Sequence, residues 1–188
     1  KSNIKHILVR QEQAAGFLVQ GMTRSTGKPA VCLATSGPGA MNLLTAIADA
    51  RADSVPIIAI TGQVNTTQIG TDAFQEADTF GLSFPITKHS MLVKKPEDLL
   101  EAIPKAFEVA MNGRPGPVLI DVPRDVQLKE CEFEQWPDIS KIRVHDIRFH
   151  TSIDEYSEKM GKITDLLAKS KKPVLFCGGG CNSVEAAS

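Results

Sequence analysis

Glu12 stands where a short apolar run, Ile7-Leu8-Val9, gives way to Arg10-Gln11-Glu12-Gln13-Ala14-Ala15, a stretch without Gly or Pro. The run reads as a buried strand and the stretch as the first turn of a helix. A carboxylate there lies at the strand edge where open α/β sheets bind ligands, although an acid in a first turn also serves simply to complement the helix dipole. A second strand-to-helix passage, Thr35-Ser36-Gly37-Pro38-Gly39-Ala40, sets two glycines and a proline beside two hydroxyls. Such a turn lets backbone approach a flat ligand closely. It is neither GxGxxG nor GxxxxGK[ST], so it gives no warrant for dinucleotide or triphosphate binding. The polar stretch from Val64 to Pro85 carries Phe74 and Gln75, expected to face a ligand; the plainer reading is a core Phe beside a solvated Gln.

These residues need elements to hold them. A helix is expected over Gln11–Ser25, with Ala14, Ala15, Leu18, Val19 and Met22 forming its apolar face and Gly27 its cap. Continuous apolar runs predict strands at Ala30–Ala34, Val55–Ile60, Ser90–Val93 and Val118–Val122. Helices are expected at Asn42–Ala52 and Pro96–Met111, with Pro104 kinking or splitting the second. The alternation predicts an α/β fold, a doubly wound parallel sheet with flanking helices. Residues 1–126 read as one domain and 127–150 as a linker whose Trp136 packs on that domain. Residues 151–188, with an amphipathic helix Ile153–Ser170 and a strand Lys172–Gly180, read as the opening of a second α/β domain.

The 188 residues are 42% hydrophobic, enough to bury a core, and both ends read as cut from something larger. A net charge of −1 and no basic run argue against nucleic acid, and no run of about 18 apolar residues suggests a membrane span. Cys32, Cys131, Cys177 and Cys181 lack paired metal-ligand spacing and read as reduced thiols of a cytoplasmic protein.

Several motifs in fixed order carry a resemblance: Arg10–Ala15, Thr35–Gly39, Ile60-Thr61-Gly62-Gln63-Val64, Gly70–Asp78 and Gly113-Arg114-Pro115-Gly116-Pro117-Val118. From about Ile7 to Val126 the chain resembles the catalytic subunits of acetolactate synthases, which are thiamine-diphosphate enzymes. The resemblance implies a pyrimidine-binding domain lacking its first strand and helix, followed by the start of a central FAD-binding-like domain. It implies that Glu12 is catalytic and binds thiamine diphosphate, hydrogen-bonding the aminopyrimidine ring nitrogen; a carboxyl group shielded from water would have a raised pKa suited to sharing that proton. Pro38 and Asn42 would lie against the pyrimidine. Phe74, Gln75 and Arg124 would line the substrate channel. Arg114 with Gly178, Gly179 and Gly180 would hold a structural FAD, while the ligands of Mg2+ would lie outside this chain.

The implied reaction decarboxylates pyruvate and transfers the hydroxyethyl unit to a second 2-keto acid, in branched-chain amino-acid biosynthesis. The implied assembly is a homo-oligomer, dimer or tetramer, with a possible regulatory small subunit, and the fragment alone is expected to be inactive. Asn65, Phe84 and Arg124 depart from the family pattern, where a Pro, an Arg and a Lys are expected. A related decarboxylase or acetyltransferase, such as a sulfoacetaldehyde acetyltransferase, and a non-catalytic binding module stay open as alternatives.

Overall fold

The computed structural model describes residues 4–138 and 153–181 of the chain, and the linker stretch 139–150 lies outside the described residues. Two compact units divide the chain, Lys1–Ile147 and Arg148–Ser188. The first unit is built on four short strands, β1 (Ala30–Ala34), β2 (Ile57–Gln63), β3 (His89–Leu92) and β4 (Val118–Pro123). All pair in parallel in the order β1-β2-β4-β3. β4 is buried along its whole length between its neighbours, which is why Val118-Leu119-Ile120 could be continuously apolar.

Successive β2 residues point to opposite faces and found two cores. Ile57 and Ala59 pack with α1 (Glu12–Thr26) and α2 (Pro38–Ala52) through Val19, Leu43 and Ile47, whereas Ile58 packs with α4 (Leu99–Met111) through Ala102, Ala106 and Ala110. Helices thus cover both faces, and the expected doubly wound architecture is present. A short helix α3 (Thr79–Ser83) precedes β3, and α5 (Arg124–Leu128) follows β4 directly.

Local chemistry explains the helix ends. The Gln11 side chain accepts the Ala14 N–H, and Gly27, at φ +69°, closes α1 with its N–H donated to the Thr23 carbonyl. Pro104 lies inside α4 without dividing it. The buried face of α1 is turned from the expected one: Ala15, Gly16, Val19, Gln20 and Thr23 are buried, while Leu18 and Met22 remain exposed. The cause is close helix contact, because a Cβ on Gly16 would meet the Ala46 Cβ at 2.4 Å. The buried polar groups are satisfied, Gln20 donating to the Ala46 carbonyl at 2.9 Å and Thr23 to that of Pro56 at 3.2 Å.

Three other expectations fail. Ile7-Leu8-Val9 forms no strand, and Leu8 is 83% exposed, because no described strand offers the run a ladder. Trp136 does not pack on the domain; it is 76% exposed and tilts against Phe133 within its own segment, ring centroids 5.8 Å apart. In the second unit α6 (Ile153–Lys169) forms, but Val174-Leu175-Phe176 adopts no strand and stays exposed, again without a described partner strand. A 3-10 turn at Gly179–Cys181 follows it. The four cysteines are free, and burial pushes the Cys32 thiol up to about 12.

Candidate functional site

The turn between β1 and α2 forms the centre of the site. Gly37 sits at φ +57°, and a Cβ there would lie 2.5 Å from the backbone oxygen of Gln75. Only glycine permits both the left-handed backbone and that contact. Pro38 follows as the first residue of α2, where its missing N–H costs nothing. A Cβ on Gly39 would stand 2.6 Å from the Thr35 methyl and 3.4 Å from Glu12 Oε1.

Glu12 begins α1 and reaches toward the same turn. Asn42, on the second turn of α2, donates its side-chain N–H to Glu12 Oε2 at 3.0 Å, so residues thirty apart in sequence meet through the packing of the two helices. The bond from Asn42, and after it Glu12's own backbone N–H, hold this carboxyl below the usual range. The expected raised pKa is therefore corrected. The group is only half-buried, and donors aimed at the charged form outweigh desolvation.

On the opposite side of the sheet's carboxyl edge, an open cleft of about 510 Å³ is walled by Leu33, Ile60, Ile103 and Ile120. Its polar lining includes Thr35, Ser36, Gln63, Gln75, Arg124 and Gln127. The 35–39 turn thus borders both the cleft and Glu12. Of the expected channel residues, Gln75 and Arg124 line this cleft. Phe74 does not; it projects from the loop tip, 88% exposed.

Arg114 lies at the other end of the sheet, on the loop that enters β4, and donates to Ser54 Oγ at 2.7 Å and to the Ala52 carbonyl at 3.0 Å, capping the end of α2. Gly178, Gly179 and Gly180 belong to the second unit. Among the described residues no group of three His, Cys, Asp or Glu side chains could hold a metal ion, and no helix is long and apolar enough to cross a membrane.

Sequence reasoning passed over one buried network. Asp121, in the middle of β4, accepts from Thr61 Oγ1 at 2.6 Å and from Gln63 Nε2 at 2.9 Å. Gln63 Nε2 also donates to the Ala77 carbonyl at 2.8 Å, tying the long loop's far end to the sheet. Burial pushes the Asp121 carboxyl up to about 6 despite those two bonds, and the nearby Asp78 adds to the rise. The signal was available: a lone acid among Val118, Leu119, Ile120 and Val122 must be hydrogen-bonded if the strand is buried.

Residues 1–82 match the family of thiamine pyrophosphate enzymes, N-terminal TPP binding domain. The chain is 51% identical over 179 residues to the acetolactate synthase isozyme 1 large subunit of Escherichia coli, covering 95% of this chain and 31% of that protein. It is 47% identical over 185 residues to the acetolactate synthase large subunit of Corynebacterium glutamicum, covering 98% and 29%. With the probable acetolactate synthase large subunit of Methanocaldococcus jannaschii it shares 49% over 179 residues, covering 95% and 30%. The chain therefore spans about three tenths of the length of the curated relatives it matches.

Proposed function

We propose, from the match of residues 1–82 to the N-terminal TPP binding domain of thiamine pyrophosphate enzymes, that this chain is part of an acetolactate-forming carboligase joining pyruvate to a second 2-keto acid. One observation carries the reading: the Glu12 carboxylate, held by Asn42, borders a turn that two glycines keep clear of side chains. The donor set fits an aminopyrimidine. Its flat face can approach the backbone at Gly37–Gly39, and a carboxylate is the group able to share a proton with a weakly basic ring nitrogen.

In this reading the Glu12 carboxylate, charged while no cofactor is bound, would share a proton with the ring nitrogen of an aminopyrimidine laid against it, Asn42 fixes the carboxylate's orientation, and Pro38 starts α2 at the fixed φ that sets the turn. When bound, thiamine diphosphate supplies the nucleophilic carbon and the electron sink that decarboxylation requires. Gln75 and Arg124 border the substrate's approach, where the guanidinium offers a planar two-point partner to a keto-acid carboxylate. An Arg in place of the family's Lys keeps the charge and changes the shape of that contact, which bears on which 2-keto acid is preferred.

The described residues offer no group of three His, Cys, Asp or Glu side chains for a divalent ion, and the Mg2+ of this reading would be held by residues outside this chain. Retention of FAD also belongs to the proposal; it is supported by an exposed Arg114 whose guanidinium is oriented by Ser54 and Ala52. A regulatory small subunit completes the reading, since the relatives are described as large subunits, and a homo-oligomer is part of the same proposal. The test is acetolactate formation from pyruvate by the full-length protein, with and without added thiamine diphosphate. Cofactor-dependent product is expected, and its absence in a folded, cofactor-loaded protein would overturn the carboligase reading.

A further inference from the structure

The loop between β2 and α3 contains a half-buried carboxylate that gathers backbone N–H groups. Glu76 Oε1 accepts the Gly70 N–H, and Oε2 accepts those of Ala73 at 2.9 Å and Thr71 at 3.3 Å. The stretch it gathers is otherwise unfavourable, because Asp72 and Gln75 both adopt positive φ, +57° and +60°, where side chains other than glycine are rarely found. The loop's roots are fixed independently. Gln63 holds the Ala77 carbonyl, and Asp125 accepts from both the N–H and the hydroxyl of Thr66, at 2.9 and 2.6 Å. Between those anchors, the Gln75 backbone rests on Gly37 so closely that a Cβ there would overlap it. Gly37 leads through the same turn to Gly39, beside the Glu12 carboxylate.

We propose that Glu76 is a positioning residue: its carboxylate closes the 70–76 loop so that Gln75 presses on Gly37, fixing the substrate-side wall in register with the turn beside Glu12. This rests on the carboligase reading for its consequence in turnover, but its geometric content does not. The backbone amides hold the Glu76 carboxyl below the usual range, so the clasp stays charged through neutral pH.

The test uses the full-length protein and Glu76→Gln. The amide keeps the size, but has one accepting oxygen, and its NH2 faces backbone donors. Amide hydrogen exchange at Gly70, Thr71 and Ala73 is expected to rise about tenfold or more, the loss of a charge-assisted set of bonds. Exchange at Gly39 and Met41, whose N–H groups bond the carbonyls of Ser36 and Gly37, should rise with it, while Leu119 in the sheet should not change. The KM for pyruvate should rise about tenfold with kcat within about threefold, and Glu76→Asp should recover part of both effects. A residue that merely stabilised the fold would lower the active fraction, and so kcat, at unchanged KM.

Loosening of the loop without any change at Gly39 and Met41 overturns the proposal, as does a fall in kcat alone. If the wild-type protein fails to turn over pyruvate, the carboligase reading fails, and the paired exchange of loop and turn still decides the role of Glu76.

Discussion

Replacing Asp121 by Asn should stabilise the protein at neutral pH and leave it little changed in acid. The carboxyl is 1% exposed in the centre of the sheet, and its proton affinity is raised from an ordinary 3.8 to about 6. A group bound more tightly to its proton in the folded state contributes stability that is fully present below 3.8 and lost as pH rises through about 6. Each tenfold change in proton affinity corresponds to about 1.4 kcal/mol, so at pH 7.5 the buried charge costs about 2–3 kcal/mol. Asn removes that cost and can keep both bonds, its carbonyl accepting from Gln63 and its amide donating to the Thr61 hydroxyl, which accepts as readily as it donates. Glu12, Glu76, Glu97 and Asp125, with lowered proton affinities, act in the opposite sense, giving stability that disappears as pH falls. They are common to both proteins, so the difference between urea midpoints of variant and wild type, followed by far-UV circular dichroism from pH 4 to 8, isolates Asp121. The variant's advantage should grow from near zero at pH 4 to about 2–3 kcal/mol above pH 7. An advantage independent of pH, or one that shrinks as pH rises, would refute the argument.

Further outcomes follow from packing and from the far end of the sheet. Gly16→Ala should lower stability by about 1–2 kcal/mol in thermal unfolding, because the new methyl overlaps Ala46. Gly21→Ala, on the same helix with nothing within 4 Å, should raise it by about 0.5–1 kcal/mol; equal effects of the two would remove the helix contact as the cause. If Arg114 takes part in holding FAD, purified full-length protein will be yellow and Arg114→Ala will lose the flavin absorbance at a fixed FAD concentration. Full retention of colour would free Arg114 from that role.

The parts of the fold legible in the sequence are those whose signal is local. The apolar runs of β1, β2 and β4 and the glycine closing α1 each state their conformation within a few residues, and the structure follows them, whereas α2 begins at Pro38, four residues before the expected Asn42. Where pairing or packing decides, the sequence misleads. Ile7-Leu8-Val9 and Val174-Leu175-Phe176 have strand composition, but a strand exists only against a ladder. α1 turns a different face inward because Gly16 allows a close approach that no hydrophobic pattern encodes. The same holds for the site. Glu12 and the 35–39 turn were identifiable from residue types, whereas the Asn42 bond that lowers the proton affinity of Glu12, the Glu76 clasp and the Asp121–Gln63–Ala77 network depend on residues far apart in the chain or on backbone N–H directions.

The central claim is that the Glu12 carboxylate exchanges a proton with the bound cofactor. The measurement that bears on it most directly is turnover of full-length Glu12→Gln at saturating thiamine diphosphate, alongside the cofactor's Kd. The amide preserves size and a hydrogen bond but cannot carry the proton, so turnover should fall by about 10²–10⁴-fold with the Kd within about tenfold of wild type. A variant that turns over pyruvate at the wild-type rate would contradict the account.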